Sequence, residues 1–187
     1  MAKRLTRDQF LRAFECSEAG AIANPERITE WLADADMADV LTSIAAEFAK
    51  APEQLQCINQ LQSMEELHYV AANLNWDDGI TAAQAIINHP LCDAGTALLL
   101  YWRGQGYWYS KPDSPAAEKQ FFADIIERFS NNRFASYRIA YDAVGEMMLP
   151  SLKELQQNQL SFPGILLCQY STMQVAVYQG DYDQYLN

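Results

Sequence analysis

The chain has 187 residues, half of them apolar and 12% aromatic, with a formal net charge of −11. That length and composition can bury a core without staples, which excludes a disordered or disulfide-dependent chain. The longest unbroken apolar run, Ala97 to Trp102, is far short of a membrane span. The start, MAKRLTRDQF, has no apolar run of the secretory kind. A cytoplasmic location is therefore expected, with one helical domain over 1–187. The four cysteines, Cys16, Cys57, Cys92 and Cys168, form no CxxC pair. Free and mostly buried thiols are expected of them.

Helix punctuation recurs along the chain. Thr6 precedes an amphipathic run with Phe10, Leu11 and Phe14 on one side. Asn24-Pro25 is a start signal, followed by Ile28, Trp31 and Leu32 at helical spacing. Asp36 can cap a segment with Met37, Val40, Leu41, Ile44, Ala45 and Phe48 as its buried stripe. Ala51-Pro52 breaks that pattern and opens a short helix through Leu55 and Ile58. Ser63 and Glu66 have the spacing of a capping box, ahead of Met64, Leu67, Val70, Ala71 and Leu74.

A turn is expected over Asn75 to Gly79, then a helix from Ile80 to Asn88 stopped by His89-Pro90. The next helix runs from Asp93 to the Gly104-Gln105-Gly106 break, where glycine suits the left-handed closure of a last turn. Ser114 is expected to cap a helix with Pro115 at its first position and Phe121, Phe122, Ile125, Ile126 and Phe129 as core. Asn131-Asn132 ends it, and Phe134 to Leu149 reads as another helix, stopped by Pro150. A short helix from Ser151 to Gln157 follows. Pro163 to Gln179 is ambiguous: Ile165, Leu166, Leu167, Tyr170 and Met173 fit a helix, whereas Thr172, Val175 and Val177 suit a strand. Helix is favoured there. The class is all-α, an irregular bundle of about eight to nine helices.

Three places could carry chemistry. Trp76-Asp77-Asp78-Gly79 offers two adjacent carboxylates for a cation or for acid–base work. The plainer reading is that Asp77 or Asp78 caps the next helix, Gly79 relieves the backbone and Trp76 anchors the turn. In His89-Pro90-Leu91-Cys92-Asp93 a thiol lies beside a carboxylate and near a histidine, but no oxyanion device is legible. Cys92 reads as a small buried hydrophobe, and Asp93 as a helix cap reaching Gly95 or Thr96. The only histidines, His68 and His89, match no zinc spacing, and no phosphate loop, GxGxxG or GxSxG is present. No catalytic residue, cofactor or metal is therefore expected. The aromatic cluster Tyr101, Trp102, Tyr107, Trp108 and Tyr109 is read as core rather than as a partner anchor. Tyr178, Tyr182 and Tyr185 pose the same question.

Glu66-Leu67-His68, Asn75-Trp76-Asp77-Asp78-Gly79, Ile86-Ile87-Asn88, Cys92-Asp93 and Gly95-Thr96-Ala97-Leu98 together resemble a bacterial domain of unknown function, family number 4274, over roughly residues 63 to 109. The resemblance implies a bacterial source and a small helical module. It transfers no catalytic residue, because the family has no established activity. By analogy, small acidic bacterial proteins without catalytic motifs are often toxin inhibitors.

Charge supplies the functional expectation. Between Ile28 and Trp102 eleven acidic residues face a single base, Lys50, a net −10. Such a field repels nucleic acid and anionic membrane and attracts basic proteins. The expectation is an immunity protein that neutralises a basic toxin domain by protein–protein contact. Its acidic face is expected at Glu30, Asp34, Asp36 and Asp39, with Trp31 as an anchor. Trp76, Asp77, Asp78, Gly79, Cys92, Asp93 and Thr96 are expected to be structural. The alternative is a small metal- or ligand-binding enzyme using Asp77, Asp78 and Asp93, with His89 beside them.

Overall fold

The computed structural model describes residues 2–22 and 54–186, without the side chains of residues 19–22, 54 and 78. Among the described residues eight α-helices follow in chain order: α1 (Arg7–Ile22), α2 (Gln54–Gln60), α3 (Met64–Ala72), α4 (Thr81–Asn88), α5 (Ala94–Arg103), α6 (Ala116–Ser130), α7 (Leu152–Asn158) and α8 (Asp183–Leu186). Single 3₁₀ turns lie at Trp76–Asp78, Gly106–Ser110, Gly164–Leu167 and Gln179–Tyr182. The all-α class is what the helical periodicities predict. Among the described residues no helix is long and apolar enough to cross a membrane.

The hub is α5. Every residue from Cys92 to Trp102 is buried, as befits a helix that is apolar all round. Helices α3, α4 and α6 pack on it, and α1 packs on α2 and α3. The start of α1 is closed by a reciprocal cap: Gln9 N donates to Thr6 Oγ1 (3.4 Å), and Thr6 N donates to Gln9 Oε1 (2.9 Å). Phe10 then enters the core, stacked on Tyr182 at 4.4 Å and edge-on to Tyr69 at 5.6 Å. Tyr182 is fully buried, its hydroxyl accepting from Leu5 N (3.1 Å) and donating to Ala176 O (2.8 Å). Of the three C-terminal tyrosines it is therefore the core member, while Tyr178 is exposed.

Ser63 caps α3 through Glu66 N (3.3 Å), as its spacing requires. The return bond differs from the simplest capping box. The Glu66 carboxylate takes Gln62 N (2.7 Å) on Oε2 and the Arg12 guanidinium on Oε1, with Nε at 3.0 Å and Nη2 at 2.5 Å. The same side chain thus caps α3 and ties it to α1. The aromatic cluster is core: Tyr101, Trp102 and Tyr107 are buried, and Trp102 Nε1 donates to Leu166 O (3.0 Å).

Several local expectations fail for specific reasons. Gly104 does not close α5 in the left-handed region; its φ is −77°, and Gln105 takes that role at φ 54°. Glycine is needed at 104 because a Cβ there would lie 2.6 Å from the Trp76 ring. Ser114 does not cap α6. Its hydroxyl donates to Trp108 O (3.4 Å), and α6 begins after Pro115 without a side-chain cap. Residues 134–149 form no helix: backbone bonds of the first part point outward, Ser136 O accepting from Ala94 N (2.9 Å) and Ala140 N donating to Met173 O (2.7 Å), and residues 142–148 close only local turns.

The helix favoured over Pro163 to Gln179 is likewise absent beyond the turn Gly164–Leu167. Downstream the chain is extended. Isolated parallel bridges join Ile139 to Met173 and Lys3 to Val175, and another joins Asp93 to Ser136. The strand-like side of that ambiguity, Thr172 to Val177, is the one the backbone follows at Met173 and Val175.

Candidate functional site

The motif residues are held by structural bonds. Asn75, not an aspartate, caps the 3₁₀ turn Trp76–Asp78, its Oδ1 accepting from Asp77 N (3.2 Å). Helix α4 begins after Ile80, which makes no side-chain cap bond of its own, and the Asp78 side chain lies outside the described residues. Gly79 sits at φ 85°, a conformation that its lack of a Cβ permits. Trp76 is partly buried against the core and lies over Gly104, anchoring the turn as expected.

Asp93 does more than cap α5. Its Oδ1 accepts from Gly95 N (2.8 Å) and Ile139 N (3.1 Å), and its Oδ2 from Ser136 Oγ (2.5 Å) and Arg138 N (2.7 Å). It is fully buried. Four donors on one carboxylate leave little of it for a cation or a substrate. Gly95 is part of the same junction, because a Cβ there would overlap the Ile139 carbonyl oxygen.

Cys92 is buried beside it, and burial pushes its thiol up to about 12, with the Asp93 charge adding in the same direction. A thiol so held is no nucleophile at neutral pH. Cys16 and Cys57 are also buried, with thiols raised by desolvation, whereas Cys168 is exposed. Brief alkylation of the native protein, read by mass spectrometry, should therefore label Cys168 at least tenfold faster than Cys16, Cys57 or Cys92, on the order expected for buried thiols. Equal labelling would mean that the core around Cys92 opens readily. His89 is engaged locally, its Nδ1 accepting from Leu91 N (3.1 Å).

Among the described residues no group of three or more His, Cys, Asp or Glu is placed to hold a metal ion. Glu30, Trp31, Asp34, Asp36 and Asp39, the expected acidic face, lie outside the described residues.

A site not anticipated from sequence lies between α3, α5 and the irregular C-terminal segments. A half-open cleft of about 310 Å³ is lined by His68, Leu99, Tyr141, Asp142, Glu146 and Asp181, among others. His68 forms its floor. It is 4% exposed, and its Nδ1 shares a hydrogen bond with the buried Thr96 Oγ1 at 3.0 Å. Burial, aided by the Arg103 charge, pulls its pKa down to about 3, so the ring is neutral at physiological pH.

One wall is an ionic lattice. Arg103 Nε and Nη2 grip Glu146 Oε2 and Oε1 at 3.0 and 3.1 Å, and Nη1 donates to Ala72 O (2.5 Å). Tyr141 OH donates to Glu146 Oε2 (3.2 Å), and burial together with the Glu146 charge raises that phenol. A planar guanidinium meeting a carboxylate in this two-pronged way fixes both groups. The sequence carried one hint of the floor: His68 and Thr96 both fall inside the resembling motifs. Nothing linked Arg103 to Glu146, which lie 43 residues apart.

The family model described as a domain of unknown function (DUF4274) matches residues 62–129. The match covers α3 to α6 and runs about twenty residues beyond the span of 63 to 109 over which the resemblance is read. No curated protein and no solved structure matches the chain.

Proposed function

We propose that the protein is a binding protein whose acidic surface engages a basic protein partner, and that it serves as an immunity protein neutralising a toxin domain in a bacterial cytoplasm. One observation carries this reading. Two of the residues in the matched segment that could do chemistry are held in structural roles, Asp93 by four donors and Cys92 as a buried thiol. Charge supports it from the other side: a net −10 between Ile28 and Trp102 is a strong attractor for a basic surface.

In this reading Glu30, Asp34, Asp36 and Asp39 steer the encounter, and Trp31 supplies a buried anchor once the complex forms. The partner is first identified by capture from the source lysate at low and moderate salt, with mass spectrometry. Reversing the four carboxylates to lysine should then slow association with that partner by roughly tenfold or more and flatten its salt dependence. An unchanged association rate would remove this face from the proposal. A captured set with no basic protein, lost or kept as salt rises, would remove the inhibitor reading.

A further inference from the structure

We propose that the cleft above His68 binds a small organic cation that carries a carbonyl oxygen and no free carboxylate, the chemistry of a basic amino-acid amide. The floor of the cleft sets the first requirement. Thr96 is fully buried, and among the described residues the only hydrogen bond of its hydroxyl is to His68 Nδ1. A buried hydroxyl that lost its acceptor would be strongly disfavoured, so Thr96 donates and Nδ1 accepts. The ring proton of the neutral imidazole then sits on Nε2. Nε2 has no hydrogen-bond partner among the described residues, although His68 is 96% buried and lines the cleft. An N–H left open to the cleft on an otherwise buried ring offers a donor there, and a carbonyl oxygen can accept it.

The walls and mouth set the rest of the ligand. Leu99, Ala140, Val175 and Ala176 give an apolar lining suited to a methylene chain. Carboxylates mark the mouth, and among the described residues no Lys or Arg is in the lining itself, Arg103 being bound to the lining Glu146. Glu146 is neutralised by Arg103, but Asp142 and Asp181 are not comparably matched. Among the described residues Asp142 uses Oδ1 for Val144 N (3.1 Å) and Gly145 N (3.0 Å), which leaves Oδ2 open, and the Asp181 carboxylate has only Arg4 at 3.9 Å. Tyr178, 70% exposed, offers a ring face at the same edge. A cation is drawn to that mouth, whereas a ligand carboxylate is repelled by it. A volume of about 310 Å³ suits a molecule of amino-acid size.

None of the described residues lining the cleft belongs to the acidic face proposed for the partner, so a failed titration here leaves that reading intact. The test is calorimetric titration of the full chain with L-argininamide at neutral pH and low salt, with L-arginine alongside. Saturable binding near or below about 1 mM is expected, with L-arginine roughly tenfold weaker. Asp142→Asn and Asp181→Asn, both at the surface, should each weaken the amide by roughly fivefold. The His68 Nε2–H resonance, read by nitrogen-15 NMR, should shift on binding. No saturation by ~50 mM, equal binding of L-arginine, indifference to both variants, or a ring proton found on Nδ1 would each overturn the proposal.

Discussion

Asp93→Ala is expected to lower the unfolding free energy by about 3–5 kcal/mol, because it removes a buried carboxylate that satisfies four donors at once. Gly95 N is one of the amides that a helix start leaves unpaired, and Arg138 N and Ile139 N belong to a segment with no ladder of its own. Alanine would leave the buried Gly95 and Ile139 amides without acceptors, and would take the Asp93 bond from the part-buried Arg138 amide and Ser136 hydroxyl. Against a total stability of roughly 5–15 kcal/mol for a domain this size, that is a large fraction. Urea denaturation reads the effect as a fall in midpoint at unchanged slope.

Hydrogen exchange distinguishes a latch from a mere cap. If Asp93 holds the 136–139 segment to α5, the amides of Arg138 and Ile139 lose protection well before those of α5 itself. A cap alone would affect only the first turn of α5 and cost about 1 kcal/mol. Asp93→Asn should resemble alanine more than wild type. One of its two polar atoms becomes a donor, where both carboxylate oxygens now face donors only. Gly95→Ala probes the same junction from the other side, since its methyl group would displace the Ile139 carbonyl.

The Asp93 junction also explains where sequence reasoning succeeded and where it stopped. Elements whose instructions are local were legible. Ser63 and Glu66 announce α3, Asp93 announces α5, and the unbroken apolar run to Trp102 predicts a helix buried on all sides. Residues 134–149 mislead because Phe134 and Tyr137 are spaced as on one helical face. Both instead join an aromatic group with Phe129 and Tyr170, while Asp93 and Met173 take the backbone groups that a helix would use. The instruction for that segment is written more than forty residues upstream. Periodicity cannot see it.

The cleft was illegible for the same reason. Its floor comes from α3 and α5, its ionic wall joins Arg103 to Glu146, and its far edge is the extended segment at Val175. Thr96 is structural as expected, but Glu146 and Val175 lie where the expected helices do not form. Thr96 is a buried helix residue, and Glu146 lies on an irregular turn. Only their meeting around His68 makes a site. The acidic mouth was partly foreseen as net charge, but the sequence placed the emphasis on Ile28 to Trp102, whereas Asp142, Glu146 and Asp181 lie beyond it.

His68 gives the second large effect, an acid instability written into the floor of the cleft. In the unfolded chain its imidazole takes a proton near pH 6.5, but in the fold only near pH 3, because burial first and the Arg103 charge second disfavour the cation. Between those values the unfolded state binds more protons than the folded one. The contribution of His68 is therefore complete above pH 6.5 and is lost progressively as the pH falls toward 3, by up to about 4–5 kcal/mol. The groups around it do not rescue the charged ring. Thr96 and Arg103 approach from α5; the nearest carboxylate of the ionic wall, Glu146, is engaged by Arg103 and Tyr141, and Asp142 and Asp181 lie at the solvent edge. Urea midpoints at pH 7, 5 and 4 for the wild type and His68→Gln isolate the effect. Other carboxylates act on both chains, so the difference between the two curves belongs to His68. The wild type should lose stability more steeply with acid, and the variant, weaker at pH 7, should converge on it or overtake it by pH 4. Parallel curves, or an imidazole seen by NMR to titrate near 6.5 in the native protein, would mean that solvent reaches the ring and that burial does not hold it neutral.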